Sequence, residues 1–298
     1  MSYHVPVLLT ESIEGLNISP NGVYVDATFG GGGHSLSILQ KLQDGKLFAF
    51  DQDSDAQANA FDDSRFVLVN HNFAFVKNFL EYFQVHRVNG ILADLGVSSH
   101  HFDTPERGFS FRFNSKLDMR MDINASKNAS VVVNEYDLDS LTTIFRDYGE
   151  LPNARKLAAA ICDARSQTNI ETTFDLRDVA VRFCNAKTEN KYLSQLFQAI
   201  RIEVNNEMET LKRFLRSSLD LLVPGGRLVV ITYHSLEDRI VKNFFKTGNV
   251  EGKVEKDFYG NILTPFLNIT KKVITPTDAE LQRNSRARSA KLRIVEKI

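Results

Sequence analysis

The chain of 298 residues is long enough for a substantial core in one large domain or two, and its 43% hydrophobic and 24% charged residues are ordinary for a soluble globular protein. Its net charge of −1 excludes a globally basic protein, so any surface for nucleic acid must be a local patch. The two cysteines, Cys162 and Cys184, lack the spacing of metal ligands. The sequence shows no signal region at its start and no apolar run as long as a membrane span, so we expect a soluble cytoplasmic protein.

The first predicted unit of the fold is a strand, a glycine-rich turn and a helix. The strand ends in Asp26, the four glycines from Gly30 to Gly33 follow, and leucine and isoleucine then recur at helical spacing. Glycine lets the backbone adopt positive φ and approach a ligand without a Cβ in the way. Because the dinucleotide fingerprint G-x-G-x-x-G is not completed, the unit predicts an α/β fold that binds a nucleoside rather than a pyrophosphate.

Three further strands follow, and each leads to a candidate binding residue. The second strand ends in Asp51, at the position where folds of this kind bind the two ribose hydroxyls. The third leads to Phe73, which suits the face of a purine ring and suits an apolar core equally well. The fourth ends in Asp94. Since ligands of doubly wound sheets lie outside the carboxyl ends of the strands, we expect these residues to converge on one crevice.

The fourth strand is followed by two adjacent histidines and then by a loop in which phenylalanines alternate with arginines. Neighbouring histidines seldom share one metal, so from His100 and His101 we expect no metal site. In the loop, residues 104–122, arginines suit phosphates and aromatic rings suit unpaired bases. The sequence supports equally a loop whose phenylalanines close over the core and whose arginines pair with Asp118 and Asp122.

Between the fourth and fifth strands the apolar period is helical, and no strand pattern is visible. Thr172 and Thr173 are placed where helix N-caps occur. We therefore expect an inserted all-helical domain at residues 103–194, between the two parts of the core at residues 1–102 and 195–298.

A long amphipathic helix, residues 197–222, is expected to lead into a fifth strand at residues 227–233. His234 and Ser235 follow at its carboxyl end, where His234 could act as an acid or base or could position a substrate. The surrounding sequence is neither the H-E-x-x-H of zinc proteases nor the signature of zinc deaminases.

The tail predicts an antiparallel pair of strands that closes one edge of the sheet. Its basic residues have few acidic residues near them in sequence, and they are Arg283, Arg286, Arg288, Lys291 and Arg293. This cluster is the best local footprint for RNA in the chain, and a basic loop without a special role is the alternative.

Several long blocks of the sequence resemble one known family. The blocks are residues 4–9, 26–30, 32–35, 94–99, 106–111, 117–122, 234–239 and 284–289. Together they are similar to the MraW family, the ribosomal RNA small subunit methyltransferases H. The resemblance runs nearly from end to end of the chain.

The resemblance implies a Rossmann-like sheet that binds S-adenosylmethionine, with the helical insertion as the substrate-recognition domain. It implies methylation of the N4 amine of one cytidine in 16S rRNA, in the decoding region of the small ribosomal subunit. Carried over by position, the cofactor contacts are Gly32, Gly33, His34, Asp51, Phe73, Asp94 and His101. His101 stands where the family usually has glutamine, and histidine can still donate one hydrogen bond. A homodimer is compatible with the sequence, which does not determine the oligomeric state.

For this reaction we expect the protein mainly to hold the amine in line with the methyl group, about 3 Å away, with an acceptor for the amine N–H nearby. Asp94 is the first candidate for that acceptor, and His234 with Ser235 is the second. Two other classes stay open. One is a nicotinamide-dependent oxidoreductase, against which the incomplete fingerprint counts, and the other is a ribosome-assembly factor that binds RNA without turnover.

Overall fold

The chain forms two compact units, which a computed structural model describes at residues 6–97, 102–270 and 272–298. The first unit consists of Met1–Gly96 and Met208–Ile298, and the second of Val97–Glu207. The insertion predicted at residues 103–194 falls within the second unit. That unit extends further because the helix at Glu189–Val204 buries its apolar face in the same core. Its role in recognising a substrate stays a prediction.

A seven-stranded sheet forms the centre of the first unit. Its strands are β1 (Val23–Asp26), β2 (Lys46–Asp51), β3 (Phe66–Asn70), β4 (Val88–Asp94), β5 (Leu222–Thr232), β6 (Phe266–Asn268) and β7 (Lys291–Lys297). They lie in the order β3-β2-β1-β4-β5-β7-β6. Strands β1 to β5 are parallel, whereas β7 pairs antiparallel with both β5 and β6. The predicted α/β class and the antiparallel edge pair are confirmed.

The described α-helices are α1 (Leu9–Leu16), α2 (Gly33–Leu39), α3 (Val76–Tyr82), α4 (Ala129–Glu135), α5 (Leu138–Asp147), α6 (Ala154–Arg165), α7 (Thr173–Ala180), α8 (Glu189–Val204), α9 (Glu207–Leu221), α10 (Ser235–Thr247) and α11 (Asp278–Arg283). Helices α4 to α8 belong to the second unit. Short 3-10 turns occur at Ser54–Asn59, Phe73–Phe75, Pro105–Arg107, Val181–Phe183 and Ser285–Ser289. None of the helices described above is long and apolar enough to cross a membrane.

Alternate residues of the strands face opposite sides of the sheet and fill two apolar cores. On one side Tyr24 and Leu47 pack with residues of α1 and α2. On the other side Val25 and Phe48 pack with residues of α3, α9 and α10. Burial of one large apolar side chain contributes roughly 1.5–3 kcal/mol, so both faces favour a continuous apolar strand. Polar residues are thereby left to the strand ends, where the candidate site lies.

The helices of the second unit enclose a separate apolar core that includes the fully buried Leu141 and Leu157. Thr172 caps α7 as predicted, because its hydroxyl accepts the Asp175 N–H while the Asp175 carboxylate accepts the Thr172 N–H. Strand pairing in the described residues of this unit is limited to one bridge, between Lys116 and Thr172. The helical character expected of this region is therefore present.

The single long helix predicted at residues 197–222 is wrong. The chain forms α8 and α9 there, separated at Asn205 and Asn206. Asn206 has φ +50°, in the left-handed region that asparagine tolerates better than most residues. The Asn205 side chain accepts the Met121 N–H and donates to the Met119 carbonyl, each at 2.8 Å. Apolar spacing does not reveal this break because it is helical on both sides.

Candidate active site

The turn between β1 and α2 is built from glycines in left-handed conformations. Gly30 and Gly32 have φ of +51° and +77°, which residues with a Cβ rarely adopt. A Cβ on Gly33 would lie 2.1 Å from Pro6 Cγ, so packing also requires glycine there. A Cβ on Gly30 would meet no atom within 4 Å, which leaves open space beside the turn. The predicted glycines therefore shape the space at the end of β1.

Asp51, at the carboxyl end of β2, is hydrogen-bonded to the glycine turn. Its Oδ2 accepts the Gly30 N–H at 2.8 Å, and its Oδ1 accepts the Asp53 N–H at 2.9 Å. The Asn70 side chain, at the end of β3, donates to the Asp51 carbonyl at 3.1 Å. Polar contacts thus join the ends of three neighbouring strands. The ribose contact of Asp51 stays a prediction.

Asp26, which is 1% exposed, braces the glycine turn from inside the protein. Its Oδ2 accepts the Ser35 hydroxyl at 2.6 Å, and its Oδ1 accepts the Thr28 N–H at 3.1 Å. The Thr28 hydroxyl in turn accepts the Asp94 N–H at 2.7 Å. These hydrogen bonds connect the turn to the end of β4, a role that strand-end position alone did not assign to Asp26.

The carboxylate of Asp94 lies at the end of β4, among polar groups and largely away from solvent. Tyr233 Oη donates to Oδ1 at 2.8 Å, and His34 Nδ1 lies 3.9 Å from Oδ2. Burial raises the pKa of Asp94 to about 6, although the charge of His34 and the hydrogen bond from Tyr233 act to lower it. The carboxyl group therefore titrates close to neutral pH, where proton transfer is useful.

His34 is 6% exposed, and its contacts define the orientation of its ring. Nε2 lies 3.1 Å from the carbonyl oxygen of Val7, which can only accept, so Nε2 carries the hydrogen. The other ring nitrogen, Nδ1, therefore faces the Asp94 carboxylate. The cofactor contact of His34 stays a prediction.

Sequence reasoning missed Tyr233, whose hydroxyl is bonded to Asp94. Burial and the charge of Asp94 raise the pKa of Tyr233 well above its usual value, so the hydroxyl stays protonated and acts as a donor. The signal that could have found it is its position directly after β5, because residues at the carboxyl ends of parallel strands share one crevice.

His234 and Ser235, the predicted alternatives for handling the base, stand at the start of α10. His234 Nδ1 accepts the Glu237 N–H at 3.4 Å, and Glu237 Oε2 accepts the Tyr233 N–H and the His234 N–H, which makes a capping box. His234 Nε2 is 3.1 Å from Glu237 Oε1 without being aligned for a hydrogen bond, so this buried nitrogen has no hydrogen-bond partner among the described residues. Ser235 is exposed. His234 is thus a helix cap, and the catalytic roles of both residues stay predictions.

Phe73, which follows β3, packs partly into the core of the first unit. Its ring meets Phe214 of α9 edge-on, with the ring centroids 5.2 Å apart, and part of it remains exposed. Core packing and contact with a purine are therefore compatible, and the contact stays a prediction. The remaining predicted cofactor residue, His101, lies outside the described residues, as does His100.

The sequence matches the MraW methylase family over residues 1–298. This chain belongs to that family. A ribosomal RNA small subunit methyltransferase H from Parabacteroides distasonis is 57% identical over 298 residues, which cover 99% of this chain and 98% of that protein. The protein of the same name from Flavobacterium johnsoniae is 58% identical over 299 residues, 100% of this chain and 99% of that protein. Among solved structures, an rRNA methylase from Streptococcus thermophilus is similar over 99% of each chain, at 12% identity and a TM-score of 0.45.

An MraW methylase is a methyltransferase that uses S-adenosylmethionine, and the site described above fits this cofactor in two respects. The glycine turn leaves open space beside Gly30. Asp94 is a buried carboxyl group whose described contacts are a phenol and an imidazole, with neither lysine nor arginine among them. A positively charged ligand would offset the cost of ionising it there. Gly30 and Asp94 are thus suited to hold a cationic nucleoside.

The phenylalanines of loop 104–122 in this MraW methylase are buried to different degrees. Phe109 is 4% exposed in the core of the second unit, and Phe111 meets Phe197 edge-on, with centroids 5.6 Å apart. Phe113 is 47% exposed. Of the two alternatives left open by the sequence, core packing therefore holds for Phe109, while Phe113 remains accessible to a base.

Two arginines of the same loop, Arg107 and Arg120, are engaged within the second unit, whereas Arg112 is exposed. Arg120 Nε and Nη2 donate to the two oxygens of Asp118 at 2.8 and 2.7 Å. Arg107 donates to the carbonyls of Arg120 and Met121 at 3.0 and 3.1 Å. Asp122 instead accepts a backbone N–H. The pairing alternative therefore holds for Arg120 with Asp118, and these arginines brace the loop.

Two basic residues of the tail are paired with an acid that lies far away in sequence. Asp238 of α10 accepts hydrogen bonds from Arg293 Nε at 2.8 Å and from Lys291 Nζ at 3.4 Å. Burial acts to raise the pKa of Asp238, but the hydrogen bond from Arg293 and the charges of both basic residues lower it below its usual value. The expectation of little balancing acid is thus wrong for these two, because pairing of β7 with β5 brings Asp238 near. Arg286 and Arg288 are exposed.

Proposed function

We propose that this MraW methylase transfers a methyl group from S-adenosylmethionine to the N4 amine of one cytidine of 16S rRNA, in the decoding region of the small ribosomal subunit. The observation that carries the proposal is the identity of 57% and 58% to two proteins named ribosomal RNA small subunit methyltransferase H, over nearly their full lengths. A match of this extent gives both units of this chain counterparts in those proteins. We place the reaction in the cytoplasm, with the small ribosomal subunit as partner.

The chemistry asks the protein for positioning and for a proton acceptor. S-adenosylmethionine, when bound, supplies a methyl group on a sulfonium, which is already a strong methyl donor. The cytosine amine is a weak nucleophile because its lone pair is delocalised into the ring, so it must be held in line with the methyl, about 3 Å away. As N4 gains a methyl group it loses one proton, and a group within hydrogen-bond distance must accept that proton.

Asp94 is our candidate for the acceptor. Tyr233 holds Oδ1 at 2.8 Å and so orients the carboxylate, while 16% of the side chain remains exposed at the strand end. A pKa of about 6 keeps the group mainly ionised at neutral pH and still basic enough to take a proton.

The second arrangement gives Asp94 to the cofactor and the target amine to His234 and Ser235. It is weaker because His234 Nδ1 already accepts the Glu237 N–H and the His234 side chain is only 9% exposed. The exposed Ser235 hydroxyl could still contact the base.

The proposed function is tested by methyl transfer from labelled S-adenosylmethionine to small ribosomal subunits from a strain that lacks this protein, followed by nucleoside analysis. We expect label in N4-methylcytidine at one position. Subunits from the parent strain, already methylated, are the control and should take up almost none. Free 16S rRNA and late assembly intermediates, assayed in parallel, identify the form that the enzyme accepts.

Other outcomes of this assay separate the alternatives. Label in a different nucleoside would keep the cofactor and reject the N4 assignment. The absence of label from all three RNA forms, with normal binding of S-adenosylmethionine, would reject the reaction and favour an assembly factor that binds RNA without turnover.

A further inference from the structure

A cleft with basic walls lies on the first unit, between α10 and the outer strands β6 and β7. Its volume is about 270 Å³. The polar residues that line it are Lys242, Lys246, Asn268, Thr270, Lys272 and Arg293. We call it the lysine cleft. It contains neither the glycine turn nor any of the residues assigned above to the methyl-transfer site.

The floor of the lysine cleft is apolar and well packed. Phe245 and Ile294 line it and are only 3% and 4% exposed. The Phe245 ring also packs against Phe244 and Phe266, with centroids 6.5 and 6.0 Å apart. Lysine stems can lie on such a floor while their ammonium groups stay at the surface. The cleft is therefore a groove with a well-packed apolar floor and charged walls.

Among the described residues, no ion pair balances the charge of the cleft lysines. Lys242, Lys246 and Lys272 are exposed, and none of them forms an ion pair within the part of the chain that the structure describes. Lys242 and Lys246 are four residues apart on one face of α10, a spacing at which like charges repel each other. Arg293 differs because Asp238 binds its guanidinium. On a chain of net charge −1, this is a local concentration of positive charge.

One end of the lysine cleft, at Lys272, lies towards the carboxyl ends of the strands, where the candidate active site is, whereas Lys242 and Lys246 lie in the C-terminal half of α10. Strands β5 and β6 point the same way, since both pair antiparallel with β7. After β6 the chain meets β7 again at a bridge between Ile274 and Leu292, and Leu292 pairs with Ile231 near the end of β5. Lys272 comes shortly before this bridge and thus lies nearer than β6 to the strand ends where Tyr233 and Asp94 lie.

We propose that the lysine cleft binds the phosphate backbone of the RNA substrate, at nucleotides that neighbour the target base. The inference rests on the proposed function, since it takes its ligand from that reaction. Ammonium groups beside the amide of Asn268 and the hydroxyl of Thr270 match a chain of phosphates and ribose hydroxyls. An RNA strand whose target base enters the active site has to continue across the protein surface. A positively charged groove that leads away from the carboxyl ends of the β-strands can bind it there. Lysine contacts phosphate without reading bases, so the cleft supplies affinity and register rather than sequence choice.

The test is the double substitution K242Q/K246Q in the full chain. Binding to small ribosomal subunits from the strain lacking this protein is measured by filter retention over a range of salt concentrations, without turnover. Removing one lysine–phosphate interaction lowers the slope of log affinity against log salt by about 0.7–0.9, so we expect the slope to fall by roughly 1.5 and the affinity to fall about 10-fold at moderate salt. The KM for subunits should rise correspondingly and kcat should stay unchanged, because neither lysine touches the reacting atoms.

Two matched variants control for charge and folding. K41Q/K46Q makes the same change in net charge at two exposed lysines of the first unit outside the cleft, and it should bind as the wild type does. K242R/K246R keeps the charge at the cleft and should retain both affinity and salt slope. Equal melting temperatures of all the variants exclude a general effect on the fold.

An affinity and a salt slope for K242Q/K246Q equal to those of the wild type would overturn the inference. Loss of binding to vesicles that contain phosphatidylglycerol, with unchanged binding to subunits, would also overturn it and assign the cleft to a membrane surface. The proposed function and the role of the cleft are tested by different measurements. If the wild type binds subunits but does not methylate N4, the proposed function is rejected, and the comparison of binding between the wild type and K242Q/K246Q still tests the cleft. If the wild type methylates N4 and the variant binds equally well, the cleft alone is rejected.

Discussion

At the scale of single residues, burial and hydrogen bonding act in opposite directions on the ionisation of Asp94. Burial disfavours the carboxylate, while Tyr233 donates to it and His34 adds a favourable charge. The resulting pKa of about 6 is the balance of these effects. Because this pKa lies near neutral pH, removing the Tyr233 hydroxyl or the Asp94 carboxyl group should change a pH dependence that can be measured.

Tyr233→Phe removes the donor and keeps the ring. Without the hydrogen bond the pKa of Asp94 should rise, and the acidic limb of the kcat/KM profile for methyl transfer should move to higher pH by about one unit or more. A hydrogen bond to a charged group contributes about 1.5–3 kcal/mol, and one pKa unit corresponds to about 1.4 kcal/mol. The profile is measured on small ribosomal subunits between about pH 5 and about pH 9.

The matched control is Tyr24→Phe. The Tyr24 hydroxyl is also buried, but it accepts the Ser19 N–H at 2.7 Å and lies outside the candidate site. Removing this hydroxyl should leave the pH profile in place. If the acidic limb of the Tyr233→Phe profile coincides with that of the wild type, Tyr233 does not tune the group that titrates.

Asp94 also links stability to pH. Its pKa rises from a usual value of 3.8 to about 6 in the fold, so the folded state holds the proton more tightly. The stability that this contributes is complete below the unfolded pKa and is lost as pH rises through about 6. Asp94→Asn has no ionisable group at this position and removes that loss. Without cofactor, the free energy of unfolding of the variant minus that of the wild type should therefore be about 1–2 kcal/mol larger at about pH 8 than at about pH 5. Urea unfolding at the two pH values measures it.

Asp63→Asn serves as the control of opposite sign. The hydrogen bonds from Arg65 hold the pKa of Asp63 at about 2, so its contribution is present at neutral pH and is lost only in acid. This variant should therefore lose stability at neutral pH. A stability difference between Asp94→Asn and the wild type that is constant with pH would contradict the raised pKa of Asp94.

At the scale of elements, the start of α10 places the residues after β5. His234 and Glu237 form its capping box, and Glu237 also holds the Tyr233 N–H at 2.9 Å. The cap therefore supports the backbone that presents the Tyr233 hydroxyl to Asp94. A histidine in this position can serve the helix, the reaction or both, and substitution separates the two roles.

His234→Ala removes the cap and should lower stability by about 0.5–2 kcal/mol. His234→Asn supplies another good N-cap, so it should restore stability, as measured by urea unfolding. If His234 only caps the helix, the Asn variant also restores kcat for methyl transfer, which is the outcome we expect. If both variants have a low kcat for methyl transfer although His234→Asn is as stable as the wild type, His234 takes part in the reaction.

Sequence pattern predicted individual elements where one local rule dominated. Apolar runs flanked by turn residues gave the parallel strands, and Thr172 was recognised as a cap because capping depends on residues within one turn. The break at Asn205 was missed because its cause is tertiary: the Asn205 amide is held by the backbone of Met119 and Met121. The packing of loop 104–122 also depends on residues that are distant in the chain, so its sequence supports both alternatives equally.

At the scale of the whole molecule, the two units have separate apolar cores. All of the predicted cofactor residues except His101 lie in the first unit. A core substitution should therefore affect cofactor binding according to the unit in which it is made, even when the effect on stability is similar.

Leu92→Ala and Leu157→Ala form a matched pair for this test. Both leucines are fully buried, Leu92 in β4 of the first unit and Leu157 in α6 of the second. Each change should lower stability by about 2–5 kcal/mol. Titration with S-adenosylmethionine, at a temperature where both variants are folded, should show weaker binding for Leu92→Ala. The Leu92 side chain packs in the same apolar core as Phe29, which precedes Gly30, and Ile38 of α2, so the cavity left by alanine allows the residues around the glycine turn to shift. Equal weakening by Leu157→Ala would show that binding depends on the second unit.

The sequence by itself determined the α/β class, the glycine turn, the strand ends at Asp26, Asp51 and Asp94, and membership in the MraW family. These features follow from residues that are close together in the chain, where glycine geometry and apolar periodicity act directly. Only the tertiary structure decided which strand ends meet. It placed Tyr233 on Asp94 across 139 residues of chain, and it turned His34 to the Val7 carbonyl.

The same distinction applies to charge. The basic residues of the tail are visible in the sequence, but pairing of β7 with β5 brings Lys291 and Arg293 to Asp238. The strand order also assembles the lysine cleft from α10, β6 and β7, segments that are separate in the chain. The physical reason is that a contact between side chains distant in the chain depends on which strands become neighbours. The order of the strands is set by burial of apolar faces over the whole sheet, so no local stretch of sequence determines it.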